Sequence, residues 1–291
     1  MKKLRRWFTG LLAAMILASA PAAANEVSAA SAESRYTVNP SITTLQTNCT
    51  YNYYDVTGDG KTDSLALEAA SYDSFNTGKQ GYLKIYINGE NAFTLNDPYY
   101  KGDATWKYDV KLCTLNNSEV FFFIRTCSET GYYNFCRLYR YDNGSLKSVL
   151  NLKNTYKNIF HHRERMDVAN VTGNRIQMQW YGQLGAVGAL NWIVEYRWDS
   201  GKFYRTGKTC PVLPDEKERS FTASKSFRAY TTAALKQKAF TVHKGDILKV
   251  TQVYNNSKYA FVRLTNEKGK AGWIPCPNTH SPYFKEAMYV G

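Results

Sequence analysis

Apolar and polar residues alternate with a period of two through most of the chain, in short runs closed off by Gly, Asn or Asp. A sustained 3.6-residue apolar period is almost nowhere present. Period two is the spacing of a strand with one buried face. Runs such as SLALEAA, YLKIYI and VEYRW therefore predict β-strands, and the Gly/Asn/Asp clusters between them predict turns. Tyr, Phe and Thr are frequent, and these side chains suit a pleated surface.

The alternation recurs at long range. YDVTGDGKTDSLALEAA is followed by YLKIYINGENAFTL, YDVKLCTLNNSEVFFFIRTC by RLYRYDNGSLKSVL, and MDVANVTGNRIQMQWYG by VEYRWDSGKFYRTG. The leading aspartates are Asp55, Asp109 and Asp167. Strand positions Leu65, Val120 and Ile176 are 55 and 56 residues apart, and the turn glycines Gly89, Gly144 and Gly201 are 55 and 57 apart. Asn88-Gly89 and Asn143-Gly144 are favoured two-residue hairpin turns because both positions need positive φ, and Asp199-Ser200-Gly201 is a looser form of the same device. Each unit thus reads as about four antiparallel strands, the size of a propeller blade. Closed propellers have about four to eight blades, so three units predict a propeller-like open array or a compact threefold β-fold.

Residues 211–219, PVLPDEKER, read as a linker. Beyond it five short strands are expected, with Phe227–Tyr230, Ile247–Val250, Tyr259–Leu264 and the segment around Gly272-Trp273-Ile274 among them. The aliphatic strand after Lys244-Gly245-Asp246, the YAFVRL strand and the closing GKAGWI together resemble a bacterial SH3-like (SH3b) domain over about 60 residues. The resemblance implies a small β-barrel packed on Trp273 and attachment to peptidoglycan or another wall polymer. Tyr230, Tyr254 and Tyr259 become candidates for lining a ligand groove, with Trp273 beside them, because aromatic rings stack on sugar or peptide faces. The chain departs from the family pattern at TTAALKQKAF, where a glycine-rich segment is common.

The stretch YDVTGDGKTDSLAL carries oxygen donors at every second residue. Asp55, Thr57, Asp59 and Asp63 stand at loop positions 1, 3, 5 and 9, with Lys61 at position 7 able to offer its carbonyl, and Gly58 and Gly60 permit sharp curvature. Hard calcium takes such oxygen ligands. An EF-hand would need a Glu at position 12, where Ala66 stands, and a following helix, where a strand is predicted. The loop instead resembles those of FG-GAP/VCBS-type repeats, which implies one calcium ion. The segments after Asp109 and Asp167, DVKLCTLNN and DVANVTGN, lack the carboxylates, so one site is expected rather than three.

Charge and composition add the setting. Lys2, Lys3, Arg5 and Arg6, an apolar run from Leu11 to Leu17 and Ala22–Ala24 have the layout of a secretory signal peptide. The domain expectation is a signal peptide over 1–24, a flexible linker over 25–44, the three-repeat body over 45–213 and the SH3-like domain over 214–291. No second long apolar run predicts a membrane span. Residues 220–291 hold eleven Lys or Arg against Asp246, Glu267 and Glu286, a net +8. The rest of the exported chain is nearly neutral. A basic tail after a neutral body suits an anionic glycopolymer or peptidoglycan partner rather than nucleic acid. Six cysteines allow 15 pairings. Cys127 and Cys136 would face each other if a hairpin turned near Gly131 and Tyr132, and the absence of CxxC argues against zinc. His161-His162-Arg163-Glu164-Arg165 is not HExxH, and no GxSxG occurs. The expectation is an exported, wall-associated binding protein without catalysis; the alternative is a wall hydrolase whose repeat body is catalytic.

Overall fold

The computed structural model describes residues 39–71, 81–96, 105–116, 118–128, 135–152, 165–256, 259–277 and 279–289. The expected signal peptide, most of the linker, the Gly131–Tyr132 turn and His161–Glu164 lie outside them. The chain is mainly β, built from four antiparallel sheets, each with two open ends among the described residues. No helix among these residues is long and apolar enough to cross a membrane.

Strand β1 (Ser41–Leu45) comes first, so the end of the expected linker is a strand rather than a flexible segment. The first meander follows as β2 (Cys49–Tyr54), β3 (Asp63–Ala70), β4 (Tyr82–Ile87) and β5 (Glu90–Asn96). The second is β6 (Thr105–Thr114), β7 (Val120–Ser128), β8 (Cys136–Asp142) and β9 (Ser145–Asn151), with β1 paired to the outer edge of β6. The third is β10 (Arg165–Thr172), β11 (Arg175–Leu184), β12 (Gly188–Asp199) and β13 (Lys202–Arg205). Each meander makes its last hairpin through the turn that the recurrence singled out. Asn88/Gly89, Asn143/Gly144 and Ser200/Gly201 all have positive φ, between 45° and 83°. The Ser-Gly version therefore adopts the same backbone as the two Asn-Gly turns.

The run VFFFI is apolar without alternation because its sheet is covered on both faces. Phe122 and Ile124 join Val110 and Leu112 in a core shared with Leu65, Leu67, Leu83 and Ile85 of the first sheet. Phe121 and Phe123 point the other way, into a second core shared with the third sheet and the C-terminal one. There Phe121 meets Trp198 and Phe203 edge-on, at ring distances of 4.7 and 4.9 Å. The first and third sheets, by contrast, keep the alternation of one buried and one solvated face.

The segment read as a linker is docked structure. It forms β14 (Thr209–Pro211) and α1 (Pro214–Glu218), and Val212 is buried. Glu216 is also buried: its carboxylate accepts from Asn191 N at 3.1 Å and Asn191 Nδ2 at 2.8 Å, and pairs with Arg219. A charged PDEKE run looks solvated in sequence. Here one of its acids ties α1 to β12.

The C-terminal sheet continues with β15 (Phe221–Thr222), β16 (Phe227–Tyr230), β17 (Lys238–Val242), β18 (Ile247–Asn255), β19 (Ala260–Asn266) and β20 (Ala271–Cys276). Its order is β14-β18-β19-β20-β16-β17, with β15 also on β18. β16, β18, β19 and β20 fall where the sequence placed strands, whereas β17 begins in the TTAALKQKAF segment, β14 meets the supposed linker only at Pro211, and β15 follows it. The β11–β12 turn pushes into this end of the molecule. Leu184, Ala186 and Val187 are buried, and a Cβ on Gly185 would collide with the carbonyls of Pro277 and Thr279. Ser281 N and Tyr283 N donate to the carbonyls of Gly185 and Ala186, and Tyr289 Oη donates to Gly185 O at 2.7 Å. Residues 37–291 are accordingly one compact unit, with a shared core running through the 213/214 boundary.

Candidate functional site

The acidic loop leaves β2 through a register shift between Tyr51 and Tyr54 and curls at Gly58 and Gly60, both at positive φ near 80°. Asp63, first residue of β3, is buried at its centre. Asp63 Oδ2 accepts from Val56 N at 2.8 Å and Thr57 N at 2.9 Å. Oδ1 accepts from Asn88 Nδ2 at 2.7 Å and the Thr57 hydroxyl at 3.3 Å. Asn88 also accepts from Ser64 N through Oδ1, so the β4–β5 turn residue fastens the loop. Asp55 accepts from Gly58 N and Gly60 N, one on each oxygen, and Asp59 accepts from Lys61 N.

All five predicted loop residues are therefore close in the fold, and their chemistry, carboxylate, hydroxyl and carbonyl oxygen, is that of a hard-cation ligand set. The carboxylates of Asp55 and Asp63 are, however, turned onto the loop's own amides. Among the described residues no group of three or more His, Cys, Asp or Glu gathers as metal ligands. A buried amide left without an acceptor is costly, and Asp63 removes that cost for two of them. Sequence reading missed Asn88, whose turn role was evident but whose side-chain role depends on a residue 25 positions away.

The equivalent aspartates of the next two units sit inside strands and meet each other instead. Arg125 pairs with Asp109 Oδ2 at 2.7 Å and Asp167 Oδ2 at 3.2 Å, and its Nη1 donates to Met166 O. Lys107 joins Asp109 at 2.9 Å and Lys111 joins Asp167 at 2.6 Å. Partial burial pushes the Asp109 carboxyl upward, but Lys107 and Arg125 outweigh it and hold the group below the ordinary carboxylate value.

On the C-terminal sheet an open groove of about 720 Å³ is lined by Thr232–Leu235, Tyr254, Asn256, Tyr259, Phe261 and Pro275. Tyr254 and Tyr259 were predicted, and Tyr259 is 62% exposed. Trp273 backs the groove rather than lining it. It is buried, with its ring edge-on to Tyr254 at 6.3 Å. Tyr230 is not among the lining residues; it pairs with Trp273 across β16–β20. Phe261 stands 5.7 Å from Tyr254 and 6.3 Å from Tyr259 and was missed, although the YAFVRL alternation put it within reach. The departure from the family pattern, TTAALKQKAF, supplies one wall. Leu235 holds φ of 56° there, a conformation costing a non-glycine residue about 1–2 kcal/mol.

The register of β7 and β8 sets Cys136 opposite Arg125, so the facing of Cys127 and Cys136 that the sequence left open is not the one adopted. Burial pushes Cys113 and Cys276 up to about 12, and raises Cys210 as well, so all three stay protonated.

Fold and sites together define a mainly β, multi-sheet protein with an aromatic groove at its basic end. No protein-family model matches the chain, and neither a curated protein nor a solved structure matches it.

Proposed function

We propose that the chain is an exported, non-catalytic binding protein, held at a bacterial cell wall by its SH3-like C-terminal module and presenting an open array of three blade-like β repeats. The observation that carries this reading is the groove of Tyr254, Tyr259, Phe261 and Pro275 on the most basic part of the chain. Rings of that kind stack on sugar or peptide faces, while the +8 of residues 220–291 favours phosphates or carboxylates of the same polymer.

The test uses the whole chain, because β14 pairs with β18, α1 is tied to β12, and the β11–β12 turn is hydrogen-bonded to Ser281 and Tyr283. Mixed with insoluble cell wall, the protein should sediment with it and come off in high salt, which screens surface charge. Tyr259→Ala, at an exposed position, should lower the bound fraction without lowering the melting temperature. Protein that stays in the supernatant at low salt sinks the reading. Soluble peptidoglycan fragments that disappear on substituting a body carboxylate or cysteine would replace it with the hydrolase.

The same reading extends to the 55–63 loop as a site for one calcium ion, with Asp55, Asp59 and Asp63 as carboxylate ligands, Thr57 through its hydroxyl and Lys61 through its carbonyl. Its support is the odd-position donor pattern at a turn curved by Gly58 and Gly60. Binding requires Asp55 and Asp63 to exchange amide partners for the ion.

A further inference from the structure

The solvent face of the first sheet carries a cluster that neither the acidic loop nor the groove uses. Along β4 the core face is Leu83, Ile85 and Ile87, so Tyr82, Lys84 and Tyr86 point outward. Their direct partners on β3 are Ala70, Glu68 and Ala66, in that order. Both tyrosine hydroxyls donate to one carboxylate: Tyr82 to Glu68 Oε1 at 2.6 Å and Tyr86 to Oε2 at 3.1 Å. These bonds hold Glu68 below the ordinary carboxylate value and raise the Tyr82 phenol. Each ring can reach Glu68 only by leaning from β4 across β3, over a position where the neighbour is a methyl group. Charge-assisted hydrogen bonds of this kind fix the two rings before any ligand arrives.

Lys84 completes the cluster. Its ammonium lies 4.0 Å from Glu68 Oε2, beyond hydrogen-bonding distance, and 5.0 Å from the centre of the Tyr82 ring. Donor and acceptor thus stand close, with a gap between them and with Tyr86 alongside. Both side chains remain accessible, at 34% for Lys84 and 44% for Glu68. On β5 the partners across the sheet are Asn96, Thr94 and Asn91, an uncharged polar fringe. Among the described residues, β3, β4 and β5 therefore put one positive and one negative group on this face, in contrast with the basic C-terminal sheet.

We infer that this face is a second binding site, one that takes an uncharged polysaccharide chain. Two neighbouring hydroxyls of a sugar ring bridge Lys84 and Glu68, one accepting from the ammonium and the other donating to the carboxylate. The apolar face of the ring stacks on Tyr86, as aromatic surfaces with a polar rim do. Asn91, Thr94 and Asn96 offer amide and hydroxyl groups to adjoining sugars. The balance of Lys84 by Glu68 selects against the anionic polymers that the basic groove suits. The site lies on β3 and β4 and stands or falls independently of the groove.

The test is calorimetric titration of the full chain with chitohexaose and with cellohexaose, alongside poly-glutamate. At least one uncharged oligosaccharide should bind. Tyr86→Ala should weaken that binding about tenfold or more, and Glu68→Gln, which keeps the side chain's shape, by a similar factor. Tyr259→Ala in the groove should leave it unchanged. The inference is overturned if neither oligosaccharide binds, or if binding survives both Tyr86→Ala and Glu68→Gln. Loss of binding in Tyr259→Ala, or titration by poly-glutamate alone, overturns it as well.

Discussion

The loop at 55–63 and the charged knot around Arg125 begin from nearly the same words, YDV, YDV and MDV, and solve the same problem differently. In the first unit the aspartates face backbone amides within eight residues of themselves. In the second and third, Asp109 and Asp167 face cationic side chains, and the Lys111–Asp167 pair spans 56 residues of sequence. The first arrangement folds a loop upon itself and needs no other sheet. The second needs the second and third sheets to meet, and holds them when they do. A repeated sequence start therefore does not imply a repeated site; the partners decide.

The comparison can be broken at its strongest point first. Arg125→Ala leaves two partly buried carboxylates short of their shared partner and should cost about 3–5 kcal/mol in a urea titration. Asp63→Asn is expected to cost about 2–3 kcal/mol, because one amide oxygen cannot replace a carboxylate that accepts from Val56, Thr57 and Asn88. A smaller cost for Asp63→Asn than for Asp55→Asn would reverse the roles assigned within the loop.

Acid should separate the two regions further. Because the folded pKa of Asp109 is depressed, its contribution is complete above the unfolded value of about 4 and is lost as pH falls through the folded value. Asp109→Asn should flatten that part of the stability curve below about pH 4. Calcium should act on the first region alone, raising the melting temperature of the wild type and leaving Asp59→Asn unmoved; an equal rise in both removes the calcium proposal. The smallest effect belongs to Lys107→Ala. That side chain is 62% exposed, so chemical denaturation should register less than about 0.5 kcal/mol.

How much of this was legible in the sequence follows from the same distinction between near and far partners. The Asn-Gly turns, the alternating strands and the curvature at Gly58 and Gly60 are local, and all were readable. The docking of 209–219 was not. PVLPDEKER has the composition of a linker, and what ties buried Glu216 to the body is Asn191, on a strand 25 residues earlier. The groove was half legible for the same reason. Tyr254 and Tyr259 stood out in alternating strands, whereas the wall from Thr232 to Leu235 depends on a turn that bends back over β18 and β19. Tyr230 looked equivalent to them until register paired it with Trp273.

The turn at Gly185–Gly188 also sets an order of events. Its partners, from Ser281 to Tyr289, leave the ribosome roughly a hundred residues later. Until they arrive, the carbonyls of Gly185 and Ala186 lack the donors that hold the turn in place, so the third sheet can pair its strands early but cannot finish docking. A chain interrupted near residue 280 would thus carry this turn without its tether, and quality control would meet it there.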